Sequence, residues 1–245
     1  MDFCNKVALV TGAAVGIGRA TALQLAERGA NVILLDVNAE KLNAVRAECA
    51  AFGHDVMSLV CDISDEVQVS ETVTAATAHF GKIDILVNNA ALWREYAPFT
   101  ELSTASFRKY FDVNVLGTVY VTKAVINGMI ERQWGRIINV ASVAGVYGNR
   151  NMSHYSATKG AIISLTKALA KEVTEKGVLV NAVSPGSVSD SADENVDAVS
   201  PSALSYMGRT GSDRENANLI CFLASENASY ISGQNIQIDG CRKKL

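Results

Sequence analysis

Short apolar segments alternate with longer amphipathic ones along the whole chain, and this alternation constrains the fold more than any other feature. Several short segments are apolar throughout, such as those centred on Leu9, Ile33 and Leu86. Strands buried on both faces have this pattern, which is typical of parallel sheets. The segments predicted as strands are Val7–Thr11, Asn31–Asp36, Asp55–Cys61, Ile83–Asn88, Gly135–Val140, Leu179–Ser184 and Ile236–Asp239.

The longer segments between these strands have the periodicity of amphipathic helices. They are Gly18–Glu27, Glu40–Phe52, Glu66–Phe80, Ser106–Arg132, Tyr155–Glu175 and Arg214–Leu223. Regular strand–helix–strand alternation predicts right-handed crossovers, and therefore an α/β fold with a doubly wound parallel sheet of about seven strands and helices on both faces. A chain of 245 residues fits a single domain, 1–245, with a Ser- and Asp-rich substrate loop at about 186–208.

Charge and cysteine usage exclude several other classes of protein. The net charge of -3 favours neither nucleic acid nor an anionic membrane as a partner. The cysteines show no CxxC pair and no histidine at metal-ligand spacing, so we expect free thiols, no metal site and a cytoplasmic location. The N-terminus does not resemble a signal peptide, and no apolar run approaches the ~18 residues of a membrane span. The cysteines are Cys4, Cys49, Cys61, Cys221 and Cys241.

A glycine-rich turn follows the first predicted strand directly. Gly12, Gly16 and Gly18 have the spacing GxxxGxG and open the first helix. Glycine lets the backbone adopt positive φ and approach a phosphate closely, while the helix N-terminus presents N–H groups to an anion. The turn therefore indicates a phosphate-binding site, although a simple tight turn between strand and helix has the same sequence.

An acidic residue at the end of the second strand favours a dinucleotide. Asp36 lies 18 residues after Gly18, close to the ~20 at which a carboxylate meets the ribose hydroxyls of a dinucleotide. A carboxylate repels a 2′-phosphate, so Asp36 favours NAD over NADP. Arg19 argues the other way, since an arginine beside the turn could pair with a phosphate. The alternative interpretation of Asp36 is a strand-end residue that caps the next helix.

A tyrosine and a lysine at helical spacing are the candidate catalytic residues. Tyr155 and Lys159 are separated by i, i+4 and share one helix face. A lysine cation, together with the positive charge of a nicotinamide, would stabilise a phenolate. Ser142 follows an apolar strand, at the edge where open α/β sheets bind ligands. Asn114 lies within a predicted helix, where a buried amide needs partners and could order a water; a satisfied core amide is the alternative.

Taken together, these motifs resemble the short-chain dehydrogenase/reductase family over nearly the whole chain, in the family's order. The motifs are Thr11–Gly18, Asp36, Cys61-Asp62, Asn88-Asn89-Ala90-Ala91, Asn114, Ser142, Tyr155 with Lys159, and Pro185-Gly186. The resemblance implies a Rossmann-like domain that transfers a hydride between a cofactor and an alcohol or ketone, with NAD as the cofactor.

The resemblance also implies a role for each matched residue. Tyr155 would be the general acid/base, Lys159 would bind the nicotinamide ribose and lower the tyrosine's pKa, Ser142 would orient the substrate oxygen, and Asn114 would hold a water in a proton relay. Residues implied to line the cofactor are Gly12, Gly16, Ile17, Gly18, Asp36, Asp62, Ile63, Asn88, Val113, Tyr155, Lys159, Pro185 and Val188. Relatives form tetramers through the two long helices and the C-terminal strand, so we expect a homotetramer.

Three positions depart from the family pattern. Ala91 and Cys241 stand where glycine is usual, and Asp190 stands where a threonine usually bonds the cofactor. An aspartate beside a pyrophosphate would be repelled, so either Ser189 or Ser191 takes that role or the loop follows another path.

The side chains expected to face the substrate are mainly apolar. They are Trp93, Val143, Val146, Tyr147 and Met152. They predict a cyclic or hydrophobic substrate, while Arg94 and Arg150 are either solvated or pair with a carboxylate or phosphate. His154 is interpreted as an exposed polar residue. The alternatives are an NADPH-linked 3-oxoacyl-carrier-protein reductase-like enzyme, and a nucleotide-binding regulatory protein without catalysis.

Overall fold

In the computed structural model, which describes residues 2–189 and 195–243, the chain forms one parallel sheet with helices on both faces. The strands lie in the order β3-β2-β1-β4-β5-β6-β7. Their bounds are β1 Val7–Thr11, β2 Asn31–Asp36, β3 Val56–Val60, β4 Ile85–Asn88, β5 Gly135–Val140, β6 Val178–Pro185 and β7 Asn235–Ile238. Every neighbouring pair is parallel, which confirms the predicted fold class.

The helices form two layers. Their bounds are α1 Gly16–Glu27, α2 Ala39–Ala50, α3 Glu66–Phe80, α4 Thr104–Phe111, α5 Gly117–Glu131, α6 Ala144–Tyr147, α7 Ser153–Val173 and α8 Asp213–Ala224. Side chains of α1, α2 and α8 pack on one face of the sheet, and those of α3, α5 and α7 on the other. Successive residues of β1 alternate between these layers: Ala8 and Val10 contact the first, Val7 and Leu9 the second. This double burial explains why the strand is apolar throughout.

The strand order reverses between β1 and β4, and the polar side chain of Thr11 lies at this reversal. β1 pairs with β2 on one side and with β4 on the other. In open α/β sheets a crevice opens at such a reversal, at the carboxyl ends of the strands. The Thr11 hydroxyl, at the end of β1, accepts hydrogen bonds from the backbone N–H groups of Asn89 (3.0 Å) and Ala90 (3.1 Å). It therefore joins the ends of β1 and β4 at the crevice.

The helix predicted over Ser106–Arg132 differs from the observed one, because a π-helical segment at Asp112–Leu116 separates α4 from α5. π-helical segments insert one residue into a helix and occur often at functional sites. Apolar periodicity carries no signature for such an insertion, so the sequence predicts a continuous helix.

The sequence predicts no apolar stretch long enough to span a membrane, but the same helical region has that length and composition. Thr104–Glu131 contains a window with mean hydropathy 1.3, of which 39% is buried. Val121, Val125 and Met129 of this region pack in the core beneath the sheet. Length and composition alone therefore do not make it a membrane span, and we interpret it as a core helix with an exposed apolar side.

Candidate active site

The glycine-rich turn is folded tightly against the end of β4. Gly12 and Gly16 have φ of 63° and 61°, in the left-handed region that favours glycine. A Cβ on Gly18 would lie 2.0 Å from the Gly12 carbonyl oxygen, so no larger residue fits there. The Asn89 side-chain amide donates to the carbonyl oxygens of Thr11 and Gly12, each at 3.1 Å. Asn89 thus holds the turn in place, a role that the sequence analysis did not assign to it.

The N-terminus of α1 keeps its backbone amides available. Its N-cap residue is Val15, which makes no side-chain capping bond, and the first turn of the helix holds no acidic residue. Helix N-termini carry a partial positive charge and unpaired N–H groups. The turn and this helix end therefore form a cradle suited to a pyrophosphate.

Asp36 is held between the turn and α2. Its carboxylate accepts from the backbone N–H of Ala14 at 3.1 Å and of Asn38 at 2.9 Å. The cap of α2 is Asn38, whose side chain accepts from Lys41 N–H at 3.0 Å. Asp36 is therefore not the helix cap that the alternative interpretation requires, and each of its oxygens retains a lone pair for a further donor.

Arg19 pairs with a carboxylate on the neighbouring helix. Its Nη2 lies 2.6 Å and its Nε 3.3 Å from the two carboxylate oxygens of Glu48. Such bidentate pairs are the strong form of charge-assisted hydrogen bond. The Arg19 side chain is 15% exposed and is not among the residues that line the crevice. Arg19, which the sequence offers as a partner for a phosphate, is thus paired with Glu48.

A continuous cavity of about 570 Å³ joins the glycine turn to the candidate catalytic residues. Predicted site residues in its wall are Gly12, Gly16, Ile17, Asp36, Asp62, Ile63, Val113, Ser142, Tyr155, Lys159, Pro185 and Val188. Gly18, Asn88 and Asn114 are not among the lining residues, and their predicted roles remain predictions. Residues far apart in the sequence therefore converge on one space.

The side chains of Asn88 and Asn114 point into the protein interior and do not line the cavity. The Asn88 amide donates to the Thr122 hydroxyl (3.0 Å) and to the Asn139 side chain (2.9 Å). The Asn114 side chain accepts from Leu92 N–H at 2.7 Å and donates to the Leu92 carbonyl at 3.0 Å. It also donates to the hydroxyl of Thr158 at 3.1 Å, in the helix that carries Tyr155 and Lys159. Asn114 therefore ties the cavity wall at Leu92 to helix α7.

Ser142, Tyr155 and Lys159 lie together at the carboxyl end of β5. The Ser142 hydroxyl accepts from Ala144 N–H at 3.1 Å and acts on the Tyr155 phenol by lowering its pKa. The Lys159 Nζ donates to the Val140 carbonyl oxygen at 2.7 Å and lies 5.7 Å from the centre of the Tyr155 ring. A hydroxyl, a phenol and an ammonium group are thus placed around one point of the cavity, where they can hold an oxygen and move a proton.

Burial controls the protonation of both groups of the pair. It raises the pKa of Tyr155 to about 12, an effect that the Ser142 hydrogen bond opposes. It lowers the pKa of Lys159 to about 8. The lowered tyrosine pKa expected from the sequence depends on Lys159 together with a cationic nicotinamide. Within the chain itself the lysine does not offset the desolvation of the phenol, so Tyr155 is fully protonated at neutral pH.

One expectation about the substrate side is wrong. His154 is completely buried rather than exposed, because its ring packs against Tyr110 of α4. Sequence analysis missed this because the covering residue comes from a distant segment. Of the predicted apolar lining, Trp93 is in the wall of this cavity, together with Arg94, and a role for the four other residues remains a prediction. These are Val143, Val146, Tyr147 and Met152, and Arg150 is likewise not among the lining residues.

The loop after β6 supplies Gly186, Val188 and Ser189 to the cavity. The Ser189 hydroxyl is 2.6 Å from the hydroxyl of Thr210, so it is already hydrogen-bonded within the protein. Asp190 and Ser191 lie outside the described residues. In the two described ranges, no group of three or more His, Cys, Asp or Glu side chains could hold a metal ion.

Comparison with known proteins identifies the family. The family model described as short chain dehydrogenase matches residues 6–199. The 3-oxoacyl-[acyl-carrier-protein] reductase FabG of Thermotoga maritima is 39% identical over 96% of this chain and 97% of its own. The (2S)-[(R)-hydroxy(phenyl)methyl]succinyl-CoA dehydrogenase subunit BbsD of Thauera aromatica is 38% identical over 99% of this chain and 98% of its own.

Among solved structures, an NAD+-bound xylitol dehydrogenase superposes with a TM-score of 0.90 at 36% identity, covering 98% of this chain and 100% of that one. The chain belongs to the short-chain dehydrogenase family and is an oxidoreductase of that family.

Proposed function

We propose that the protein transfers a hydride between NAD(H) and a secondary alcohol or ketone, with a cyclic or hydrophobic compound as its substrate. The observation that carries the proposal is that Ser142, Tyr155 and Lys159 line the same cavity as the glycine turn and Asp36. These are the two halves of a hydride-transfer site, one suited to a dinucleotide and one to the oxygen of a substrate.

The residues present fit a nicotinamide dinucleotide. The turn at Gly12 and Gly16 and the uncapped amides of α1 would hold the pyrophosphate, and Asp36 the adenosine ribose. Lys159 would hold the nicotinamide ribose. Asp62, Ile63, Val113, Pro185 and Val188 supply further wall to the same cavity. When bound, the nicotinamide ring supplies the hydride chemistry.

Tyr155 acts on the proton. With its pKa raised to about 12, the phenol is an acid that stays protonated until a stronger base meets it. A carbonyl oxygen that gains negative charge during reduction is such a base, and Ser142 donates a second hydrogen bond to hold it in place. Lys159 stabilises the phenolate that remains. The predicted water relay through Asn114 would return a proton to this group.

The preference for NAD is supported by the charges around Asp36. A 2′-phosphate would meet the carboxylate of Asp36, followed in the sequence by the exposed Val37 rather than by a basic side chain. Arg19, the arginine beside the glycine turn, is paired with Glu48. A xylitol dehydrogenase solved with bound NAD+ has the same fold.

A second candidate is an NADPH-linked 3-oxoacyl-carrier-protein reductase-like activity. It is favoured by the 39% identity to the Thermotoga maritima FabG over nearly the whole of both chains. Asp36 argues against it, because that cofactor carries the 2′-phosphate.

A panel of ketones and secondary alcohols, assayed with NAD(H) and NADP(H), tests these candidates. We include cyclic ketones, aryl ketones and 3-oxoacyl thioesters. Turnover of cyclic or aryl compounds with NAD(H) is the expected result. NADPH-dependent reduction of 3-oxoacyl thioesters alone would favour the second candidate. NADH binding without turnover of any compound would instead favour a regulatory protein.

We further propose a cytoplasmic homotetramer built through the two long helices and the C-terminal strand. In the first of these helical regions, Phe111 is 37% and Leu116 is 40% exposed. Apolar side chains exposed on a long helix are candidates for burial in an interface. Sedimentation equilibrium measures the mass directly, and a monomer of 26.0 kDa would reject this part of the proposal.

A further inference from the structure

His154 is a buried polar ring that the proposed proton transfer does not use. It directly precedes Tyr155 at the start of α7 and has no exposed surface. Its ring centre lies 3.9 Å from that of Tyr110 and 5.8 Å from that of Phe107, both in α4. Within the described part of the chain neither ring nitrogen has a hydrogen-bond partner. Burying such a group costs about 1–3 kcal/mol, so an apolar residue would pack here at lower cost.

Glu95 is the charged group that faces this ring. Its Oε2 lies 3.4 Å from the His154 Nε2, which is ion-pair distance. The same oxygen accepts a hydrogen bond from the Ser106 hydroxyl in α4. The Glu95 backbone N–H donates to the Tyr110 hydroxyl at 3.0 Å. Side chains from two helices therefore converge on one residue of the loop that follows β4.

This loop forms the substrate side of the cavity. Leu92, Trp93 and Arg94 line the main cavity, and together with Glu95 they also line a smaller adjoining cavity of about 360 Å³. Asn114 fixes the loop at Leu92 through two hydrogen bonds. Glu95 fixes it at the other end, so the segment carrying Trp93 and Arg94 is anchored on both sides.

We propose that Glu95 and His154 are positioning residues, which fix the substrate wall of the cavity at a set distance from Tyr155. Because His154 adjoins the catalytic tyrosine in α7, the pair couples that wall to the reacting group without touching the substrate. This inference rests on the proposed function, in that the wall is taken to be the substrate's.

If Glu95 and His154 position the wall, substitution of Glu95 should change KM much more than kcat. Loss of the anchor leaves the Ser142–Tyr155–Lys159 arrangement in place but lets the wall move. Glu95→Ala should therefore raise KM for the substrate roughly tenfold, with kcat within about threefold and NADH affinity unchanged, since tenfold corresponds to about 1.4 kcal/mol, the scale of one hydrogen bond. Glu95→Gln, which keeps the hydrogen bonds, should recover most of the loss.

Tryptophan fluorescence tests the same inference without turnover. The chain has 2 tryptophans, Trp93 in the wall and Trp134, whose ring lies 3.3 Å from the Lys6 Nζ outside this site. In a Trp134→Phe background the emission reports Trp93 alone. Glu95→Ala and His154→Phe should then increase acrylamide quenching about twofold, while Glu95→Gln should stay close to the parent.

The exposed ion pair between His79 and Asp55, at 2.7 Å, gives a matched control. Asp55→Asn removes one carboxylate from a histidine without touching the wall, and it should change neither KM nor quenching. Unchanged KM and unchanged quenching in Glu95→Ala would overturn the inference, and so would equal effects in the control. If the parent turns over no substrate, the proposed function fails, and quenching of Glu95→Ala alone then decides whether the pair anchors the wall. Should His154→Phe not fold, the Glu95 variants carry the test.

Discussion

The Lys159 Nζ donates a 2.7 Å hydrogen bond to the carbonyl oxygen of Val140, the last residue of β5. This bond fixes the lysine to the carboxyl end of the central sheet, beside Tyr155. Lys159 is 3% exposed, and burial lowers its pKa to about 8. A buried lysine with one backbone acceptor is costly to the fold, which makes its effect on stability measurable.

The first prediction concerns that effect. Burial lowers the pKa of Lys159 from 10.5 to about 8. Between pH 8 and pH 10.5 this lysine is therefore mostly protonated in the unfolded chain and mostly neutral in the folded chain. Stability should therefore rise with pH in this window, by up to about 1.4 kcal/mol per pH unit from this group. Urea unfolding of the wild type and Lys159→Met at pH 7, 8 and 9 measures the difference.

The comparison with Lys159→Met is needed because buried thiols act in the opposite direction. Burial raises the pKa of Cys49 and Cys221 from 9.0 to about 12, so above pH 9 the unfolded chain loses protons that the folded chain retains. These groups are present in both proteins and cancel in the difference. Lys123→Met, at a lysine 71% exposed, is the control. A wild-type pH slope equal to that of Lys159→Met would contradict the assigned burial effect.

The second prediction concerns cofactor choice. Asp36→Asn removes the charge that would repel a 2′-phosphate but keeps an acceptor for the backbone of the turn. We expect the ratio of kcat/KM for NADH over NADPH to fall by roughly tenfold, the scale of one charged contact. Arg19→Met should leave that ratio within about twofold, because Arg19 is paired with Glu48. A larger effect of the Arg19 change than of the Asp36 change would show that the arginine sets the preference.

The third prediction concerns the glycine turn. A Cβ at Gly18 would lie 2.0 Å from the Gly12 carbonyl, so Gly18→Ala should lower the free energy of unfolding by about 3 kcal/mol and weaken NADH binding. Gly160, inside α7, has room for a Cβ 3.5 Å from the nearest atom, the Gly145 carbonyl oxygen. Gly160→Ala should stabilise the protein by roughly 0.5–1 kcal/mol. Equal free energies in chemical denaturation of the two variants would refute the steric account.

The sequence predicts some elements well, and the reason is burial. β1, β2 and β5 have the predicted bounds, since nearly all of their residues are buried on both faces of the sheet. The glycine turn, Asp36, Ser142, Tyr155 and Lys159 line one cavity for a similar reason. Each stands at the carboxyl end of a strand or in the segment that follows, and parallel strands bring those ends to one edge.

What the sequence does not predict depends on contacts between distant segments. Whether Arg19 faces a phosphate or Glu48 is decided by the packing of α1 against α2. The burial of His154 is decided by Tyr110, which comes from α4. The raised pKa of Tyr155 likewise follows from desolvation by several elements, for which the spacing of Tyr155 and Lys159 contains no information.

The fourth prediction concerns the phenol itself. Tyr155→Phe removes the proton donor while keeping the ring, and the Ser142 hydroxyl retains its bond with Ala144 N–H. The fold and the dinucleotide part of the cavity should therefore be unaffected. Circular dichroism and NADH binding measure these two properties, and loss of either would mean that the substitution cannot isolate the chemistry.

The most direct test of the account is single-turnover hydride transfer by Tyr155→Phe, measured by NADH absorbance with the best substrate of the panel. The account predicts a rate below a few per cent of wild type, since general acid–base groups contribute roughly 10²–10⁴-fold, with NADH affinity within about twofold. A transfer rate near that of the wild type, with the cofactor bound, would contradict the assignment of Tyr155 as the proton donor.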